Sequence, residues 1–320
     1  MKLFGLFTFF LFIATFQINS PVAQELCVTS QFGQHGLAYD DRGRPLLPVK
    51  IGVLEKTILL DTGSALSALE MDQVVELDLP QVHAGMTMTA ITGESSSLAT
   101  NAETFTLGDI TRKEMRFMIL PGFDYQLSAN EPVGILALDF LSDYELELDF
   151  VNDDIRLFST NKCLETTSRQ PGQNSVAIPF NRTNSEFVTI TALLDDVEVS
   201  AIIDTGAAYS ILNLDSAARR FGIDVRKPDG RMVGMDNSGF IRTYTWQFQE
   251  LNIGGIVVTE PKITLFPNLL RATGRENLNG MQMSLPEMII GMDILRELHL
   301  YISFKDQNIY PLNAWVGETP

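Results

Sequence analysis

Two copies of one short motif supply the residues of this chain that could do chemistry together. Asp61–Ser64 reads Asp-Thr-Gly-Ser and follows an apolar run, and Asp204–Ala207 reads Asp-Thr-Gly-Ala and follows another, 143 residues later. Each apolar run is typical of a buried strand, and the glycine permits a sharp turn and the close approach of another backbone. A carboxylate at such a turn is costly to bury unless it is hydrogen-bonded or shared. Asp61 and Asp204 are therefore candidate catalytic residues.

The similarity between the two halves extends well beyond the triplet. One Asp-Thr-Gly in a chain of this length is expected by chance about 6% of the time, so a single copy could be an ordinary loop turn. Two copies after apolar strands lower that chance to roughly 1% or below. Residues 105–110 also match 251–256, and 135–141 match 289–295, with an offset that grows slowly along the chain. Insertions in loops explain such growth, so the chain is predicted to contain one domain twice.

With these elements present in both halves, the sequence resembles the retropepsin-like (clan AA) aspartic proteases, here with two lobes fused in tandem. The lobe of that family carries a hydrophobic-hydrophobic-Asp-Thr-Gly-Ser/Ala element and a later hydrophobic-hydrophobic-Gly element, and the resemblance covers about residues 45–158 and 185–312. Ala137 departs from the pattern, since Gly291 occupies that position in the second half. The resemblance implies an all-β, bilobal acid-protease fold of two retropepsin-like β-barrel lobes related by pseudo-twofold symmetry.

A pseudo-twofold axis would bring Asp61 and Asp204 face to face. Two carboxylates that close cannot both ionise, so they share one proton and titrate as a pair. The ionised partner would draw a proton from a water that attacks a peptide carbonyl, while the protonated partner donates to the carbonyl oxygen. The sequence therefore predicts an aspartic endopeptidase that acts on a peptide or protein substrate and needs no metal or cofactor. By resemblance, the remaining residues of the two turns support the dyad: Thr62, Gly63, Ser64, Thr205, Gly206 and Ala207.

The two turns differ at one position, which has Ser64 in the first half and Ala207 in the second. A serine hydroxyl that donates to a carboxylate lowers the pKa of that carboxyl, and alanine cannot do so. This difference predicts a pH optimum less acidic than that of an enzyme with hydroxyls at both positions.

Two hairpins are predicted where the resembled family has its flaps, which close over the substrate. Residues 86–100 alternate in polarity around a turn at Thr92 and Gly93, and a second turn contains Ser238 and Gly239. These four residues are candidate flap and substrate-binding residues. An extended peptide would lie between the flaps as an added strand. An ordinary surface hairpin is the alternative interpretation.

Residues 1–23 have a positive start and an apolar core, which is typical of a secretory signal peptide, although an uncleaved anchor remains open. The predicted domains are lobe 1 at 24–160, a polar linker at 161–175 and lobe 2 at 176–320. We therefore expect an exported protein, periplasmic or secreted. Because both aspartates lie in one chain, we also expect a monomer without stable membrane insertion after removal of the signal. The 267–286 loop has no counterpart of equal length in lobe 1, and its role is not readable.

Composition excludes some functions and leaves two alternatives open. A net charge of −17 argues against nucleic acid or an anionic membrane as a partner. The three histidines lack metal-ligand spacing. Cys27 and Cys163 could form a disulfide in an exported chain or remain two free thiols. A catalytically silent, protease-like peptide-binding protein is the main alternative function, and a structural all-β envelope protein is a weaker one, because it leaves the paired triplets unexplained.

Overall fold

The computed structural model describes residues 29–32, 37–89, 95–120, 132–159, 176–181, 187–236, 242–267 and 286–312. Strands dominate them, as the all-β prediction requires. The first half contains β1 Thr29–Phe32, β2 Ala38–Tyr39, β3 Pro45–Ile51, β4 Leu54–Leu60, β5 Ala68–Leu69, α1 Met71–Glu76, β6 Gln81–Thr89, β7 Ser95–Leu107, β8 Ile110–Ile119, β9 Gly134–Leu136, α2 Leu138–Leu141, β10 Tyr144–Asp149, a 3-10 turn at Phe150–Asn152 and β11 Asp154–Ser159. The second half contains β12 Ile178–Pro179, β13 Thr189–Leu194, β14 Val197–Ile203, β15 Ile211–Asn213, α3 Leu214–Phe221, β16 Met232–Asp236, β17 Thr243–Gln247, β18 Glu250–Ile253, β19 Ile256–Thr259, β20 Lys262–Phe266, β21 Met288–Ile290, α4 Met292–Leu295, β22 His299–Ser303 and β23 Asn308–Pro311.

Each half builds one large sheet with the same central arrangement. In the first, the strand order is β2-β3-β4-β9-β5-β8-β7-β6, and β3 also pairs with β7. In the second, the order is β16-β17-β20-β15-β21-β14-β13-β18-β19. The strand before each Asp-Thr-Gly turn runs parallel to a later strand, β4 to β9 and β14 to β21. The same pairing in both halves confirms the tandem, bilobal organisation predicted from the repeat.

A third sheet joins the two halves. Its order is β1-β11-β10-β22-β23-β12, so three strands of the first half lie beside three strands of the second half in one sheet. Strands β10 and β22 pair antiparallel, with Leu146 opposite Ile302 and Leu148 opposite Leu300. These four side chains are almost fully buried in the main hydrophobic core. The halves therefore share backbone hydrogen bonds and apolar packing outside their own sheets.

Three local features differ from, or add to, what the residue types alone predict. The apolar run 135–141 is compatible with one continuous strand, but it forms the short strand β9 and then helix α2, because an apolar run of that length does not distinguish the two. Aspartate favours helix N-caps, but the N-cap of helix α1 is Glu70, and the carboxylate of Asp72 accepts the N–H of Gln73 at 2.8 Å. Helix α3 follows the cap Asn213 and ends at Gly222, which has a φ of +67°.

Several predictions fall outside the described residues. These are the signal peptide at 1–23, the linker at 161–175, the Cys27–Cys163 pair, both hairpin tips and nearly all of the 267–286 loop. The lobe boundaries remain a prediction. Within the part of the chain that the structure describes, no helix is both long and apolar enough to cross a membrane.

Candidate active site

The two Asp-Thr-Gly turns start from the parallel strand pairs at the centre of each sheet. Strand β4 ends at Leu60, and the next N–H, that of Asp61, donates to the carbonyl of Leu136 in β9 at 3.0 Å. In the second half the N–H of Asp204 donates to Ile290 in β21, also at 3.0 Å. Each aspartate is therefore held at the end of a buried strand by its parallel neighbour, and its side chain remains half-buried.

The turns approach so closely that only glycine fits between them. A Cβ built on Gly63 would overlap the carboxyl group of Asp204, and one built on Gly206 would lie 2.5 Å from Cγ of Asp61. Each carboxyl group thus lies against the opposite turn, close enough for the two aspartates to influence each other's pKa. The structure thus brings Asp61 and Asp204 together across the pseudo-twofold axis. It also explains why both turns have glycine, since any larger residue would clash with the opposite carboxyl.

Two threonines hold the turns together through reciprocal hydrogen bonds. The Thr62 hydroxyl donates to the carbonyl of Ile203 at 2.7 Å and accepts the N–H of Thr205 at 3.1 Å. The Thr205 hydroxyl donates to the carbonyl of Leu60 at 2.6 Å and accepts the N–H of Thr62 at 3.1 Å. Both threonines are fully buried. Every bond crosses between the halves, so the relative position of the two carboxyls is fixed by a rigid base.

The two carboxyl groups have different hydrogen-bond environments. Asp61 accepts the N–H of Gly63 at 2.9 Å, whereas Asp204 accepts those of Gly206 at 2.8 Å and Ala207 at 3.1 Å. Burial raises the pKa of Asp61 well above its ordinary value, and the charge of Asp204 raises it further. Burial also raises the pKa of Asp204, but its two amide donors oppose the increase. Since amide hydrogen bonds stabilise the ionised form of a carboxyl group, the ionised form of Asp204 is the better stabilised of the two.

Ser64 and Ala207, which follow the two glycines, do not interact with the carboxyls as the sequence predicted. The Ser64 hydroxyl donates to the carbonyl of Leu66 at 3.3 Å and not to Asp61. The expectation that Ser64 lowers the pKa of Asp61 through a hydrogen bond was therefore wrong for this geometry. The two carboxyls differ instead because Asp204 accepts a second amide hydrogen bond, from the N–H of Ala207.

A second pair of carboxylates stabilises the loops behind the dyad, and sequence reasoning did not assign it a role. Asp139 accepts the N–H and hydroxyl of Ser67 at 2.9 and 2.6 Å, and Asp293 accepts those of Ser210 at 2.8 and 2.6 Å. Each serine oxygen in turn accepts an N–H, from Ala137 in one half and from a glycine in the other. The sequence did contain a sign of this second pair, because the serines and the aspartates occupy matching positions in the two halves of the repeat.

Ala137 fits where the second half has Gly291 because neither position needs a left-handed backbone. Their φ values are −118° and −100°. A Cβ on Gly291 would come within 2.7 Å of the Tyr209 backbone, whereas Ala137 is accommodated fully buried in its own lobe. The departure from the family pattern therefore leaves the loop geometry intact in the first half.

One further residue near the dyad, Arg44, was not predicted. It precedes β3, pairs with Asp40 at 2.6 Å and donates to the carbonyl of Gly206 in the opposite turn at 3.2 Å. The candidate flap residues Thr92, Gly93, Ser238 and Gly239 lie outside the described residues, although the strands that lead to both hairpins are present. No group of three or more His, Cys, Asp or Glu side chains suited to a metal ion occurs among the described residues.

Comparison with known proteins agrees with this geometry. A family model described as aspartyl protease matches residues 47–140 and 190–294, which together make up more than half of the chain. Among solved structures, the fold is similar to that of the aspartic proteinase from Irpex lacteus, with a TM-score of 0.50 and 13% sequence identity, over 91% of this chain and 99% of that one. An identity that low supports the fold alone. A search of curated proteins found no match.

Proposed function

The chain belongs to the aspartyl protease family, and we propose that it is an endopeptidase that hydrolyses peptide bonds with a water held between Asp61 and Asp204. The observation that carries this proposal is the pair of carboxyls that the two turns bring together at the junction of the halves, each against the glycine of the opposite turn. Its supporting contacts are intact on both sides, since each turn has its threonine clasp and its close glycine. A scaffold that only bound peptide would not need two carboxyls that share a proton.

The roles of the two carboxyls follow from their surroundings. Asp204, with two amide donors, serves as the base that takes a proton from the attacking water. Asp61, whose pKa burial raises, donates its proton to the oxygen of the scissile carbonyl. As the tetrahedral intermediate collapses, the proton taken up by Asp204 passes to the leaving nitrogen and Asp61 takes a proton back from a hydroxyl of the intermediate, which restores the starting protonation state. The threonine clasp keeps the two carboxyls from separating during these transfers.

We further propose an extended peptide segment as the substrate, bound between the two hairpins by strand addition. Both aspartates lie in one chain, which supports activity as a monomer. The signal-like first 23 residues support export to the periplasm or the medium.

The test is cleavage of an unstructured protein, reduced casein, from pH 3 to pH 8. Wild type, Asp61→Asn and Asp204→Asn are compared with Asp109→Asn, which removes one exposed carboxylate from the turn between β7 and β8. We expect cleavage by wild type and Asp109→Asn and none by the two dyad variants, with all four folded by circular dichroism. Cleavage by either folded dyad variant would refute the mechanism. A folded wild type that binds peptides without cutting them would favour the silent peptide-binding alternative.

A further inference from the structure

A tight turn in the first half fixes the side chain of Arg44. Asp40 accepts the N–H groups of Arg42 and Arg44 at 3.0 and 2.8 Å through one oxygen. Its other oxygen accepts Nε and a terminal nitrogen of Arg44 at 2.7 and 2.6 Å. Both partners are largely buried, with 11% of the Asp40 side chain and 23% of the Arg44 side chain exposed. The guanidinium therefore has one well-defined position.

The same turn packs against the second half. The remaining terminal nitrogen of Arg44 donates to the carbonyl of Gly206 at 3.2 Å. A Cβ on Gly43 would lie 2.9 Å from a guanidinium nitrogen of Arg296, which follows α4 in the second half. Arg44 thus crosses from one half to the dyad turn of the other.

A single peptide unit connects Arg44 to Asp204. The carbonyl of Gly206 accepts from Arg44, and the N–H of the same peptide, on Ala207, donates to Asp204 at 3.1 Å. A hydrogen bond at the carbonyl oxygen polarises the peptide and strengthens its N–H as a donor. The positive charge of Arg44 is therefore relayed through one peptide to the carboxylate.

The repeat provides no equivalent for the other carboxyl. At the spacing that aligns the two Asp-Thr-Gly turns, Phe187 corresponds to Arg44 and has no side-chain donor. Asp61 correspondingly accepts one amide where Asp204 accepts two. The two halves therefore differ at the position from which a side chain reaches the opposite turn.

We propose that Arg44, held by Asp40, is a positioning residue that breaks the symmetry of the dyad and makes Asp204 the ionised partner. This inference rests on the proposed function and adds the source of the division of roles. The positive charge of Arg44 lowers the pKa of Asp61 and of Asp204, against the larger effect of burial. The charged groups of the turn itself are Asp40, Asp41, Arg42 and Arg44, and those near it from other elements are the two dyad aspartates and Arg296.

The test compares Arg44→Met with Arg42→Met, which removes the same charge from an exposed position on the same turn. Loss of Arg44 should raise both carboxyl pKa values, and that of Asp204 more because its Ala207 amide donor is also weakened, so the acidic limb of the pH profile of kcat/KM should move to higher pH further than the alkaline limb. We expect kcat to fall about tenfold, less than for loss of a direct transition-state donor, with a smaller change in KM. Arg44→Lys keeps the charge but cannot bridge Asp40 and Gly206 in the same way, so its limbs should move less.

Two results would overturn the inference while leaving the proposed function intact. If Arg44→Met lowers stability but leaves both limbs in place, Arg44 only clamps the halves together. If Arg42→Met moves the limbs as far as Arg44→Met, the effect is general surface charge and not a relay through Gly206. Should Arg44→Met fail to fold, Arg44→Gln, which keeps a polar side chain without the charge, must move the limbs in the same direction.

A readout independent of cleavage separates this inference from the proposed function. Aspartate carboxyl ¹³C shifts are followed against pH, with the signals of the dyad assigned by Asp61→Asn and Asp204→Asn. In Arg44→Met the carboxyl titrations should move to higher pH even if no substrate is cut. Unchanged titrations would reject the role of Arg44 whether or not the wild type is a protease.

Discussion

Replacing Thr205 with valine tests whether the threonine clasp holds the two halves together at the dyad. Valine keeps the shape of the side chain but removes the hydroxyl, so the N–H of Thr62 loses its acceptor and the carbonyl of Leu60 loses its donor. Both groups are in a buried region, and an unsatisfied buried polar group costs roughly 1–3 kcal/mol. We therefore expect Thr205→Val to lower the free energy of unfolding by roughly 2–6 kcal/mol.

Two control variants separate the hydrogen bonds from packing. Thr205→Ser keeps the hydroxyl and loses one methyl group, which should cost about 1 kcal/mol. Thr100→Val removes a buried hydroxyl that donates to one carbonyl, that of Pro80 at 2.8 Å, within the first half. Its cost should be roughly 1–3 kcal/mol, less than that of Thr205→Val.

The assay is urea unfolding followed by circular dichroism, with cleavage activity measured in parallel. Because the clasp positions the carboxyls, Thr205→Val should also lose activity under conditions where it is still folded, and Thr205→Ser should retain most of it. The reasoning would be refuted if Thr205→Val were within about 1 kcal/mol of Thr205→Ser and equally active. The reciprocal bonds of Thr62 predict the same result for Thr62→Val.

Four further predictions follow from the same geometry. Gly63→Ala should abolish cleavage, because its Cβ overlaps the opposite carboxyl, while Gly230→Ala, which places a Cβ in open space, should be neutral. Asp61→Asn should raise Tm at pH 7 but not at pH 3. The folded state keeps a proton that the unfolded state releases above about pH 3.9, so wild-type stability falls as the pH rises toward the raised pKa of Asp61, and this loss is absent in the variant. Glu147→Leu should lower the free energy of unfolding in urea by roughly 1–3 kcal/mol, because Arg156 and His299 lose a buried carboxylate partner while Arg156 keeps its ion pair with Asp154. Specific activity should not change on dilution, and a fall at low concentration would argue against a monomer.

The dyad and its clasp could be predicted because the information is local and repeated. A strand, a carboxylate, a hydroxyl and a glycine occupy consecutive positions, and the second copy indicates the partner. The outer serine and aspartate pairs were visible as matching residues, but Ser67 and Asp139 are far apart in sequence. Their contact depends on α2 folding back onto the turn, which an apolar run cannot reveal.

Other features could not be predicted because they depend on the packing of one half against the other. The alternating run Tyr144–Asp149 is typical of a strand with one solvent-exposed face, yet Glu145, Glu147 and Asp149 are buried. His299, from the second half, lies 2.9 Å from Glu147 and compensates part of that cost. The sequence pattern of the first half alone does not indicate that His299 of the second half lies beside Glu147. Arg44 was missed for the opposite reason, since the comparison of the halves highlights what they share.

The presence of Arg44 in only one half shows how two lobes in one chain can differ in a way that two identical subunits cannot. In a homodimer with twofold symmetry, any residue that reaches the opposite turn must occur twice, so both carboxyls receive the same contacts. In this chain the position of Arg44 is free to change in one half, and Phe187 occupies it in the other. One carboxyl can then gain an extra amide donor backed by a fixed guanidinium, while its neighbour keeps the proton. In the proposed mechanism, the roles of base and acid are therefore assigned before substrate binds, and the difference between the two halves of the repeat is what assigns them.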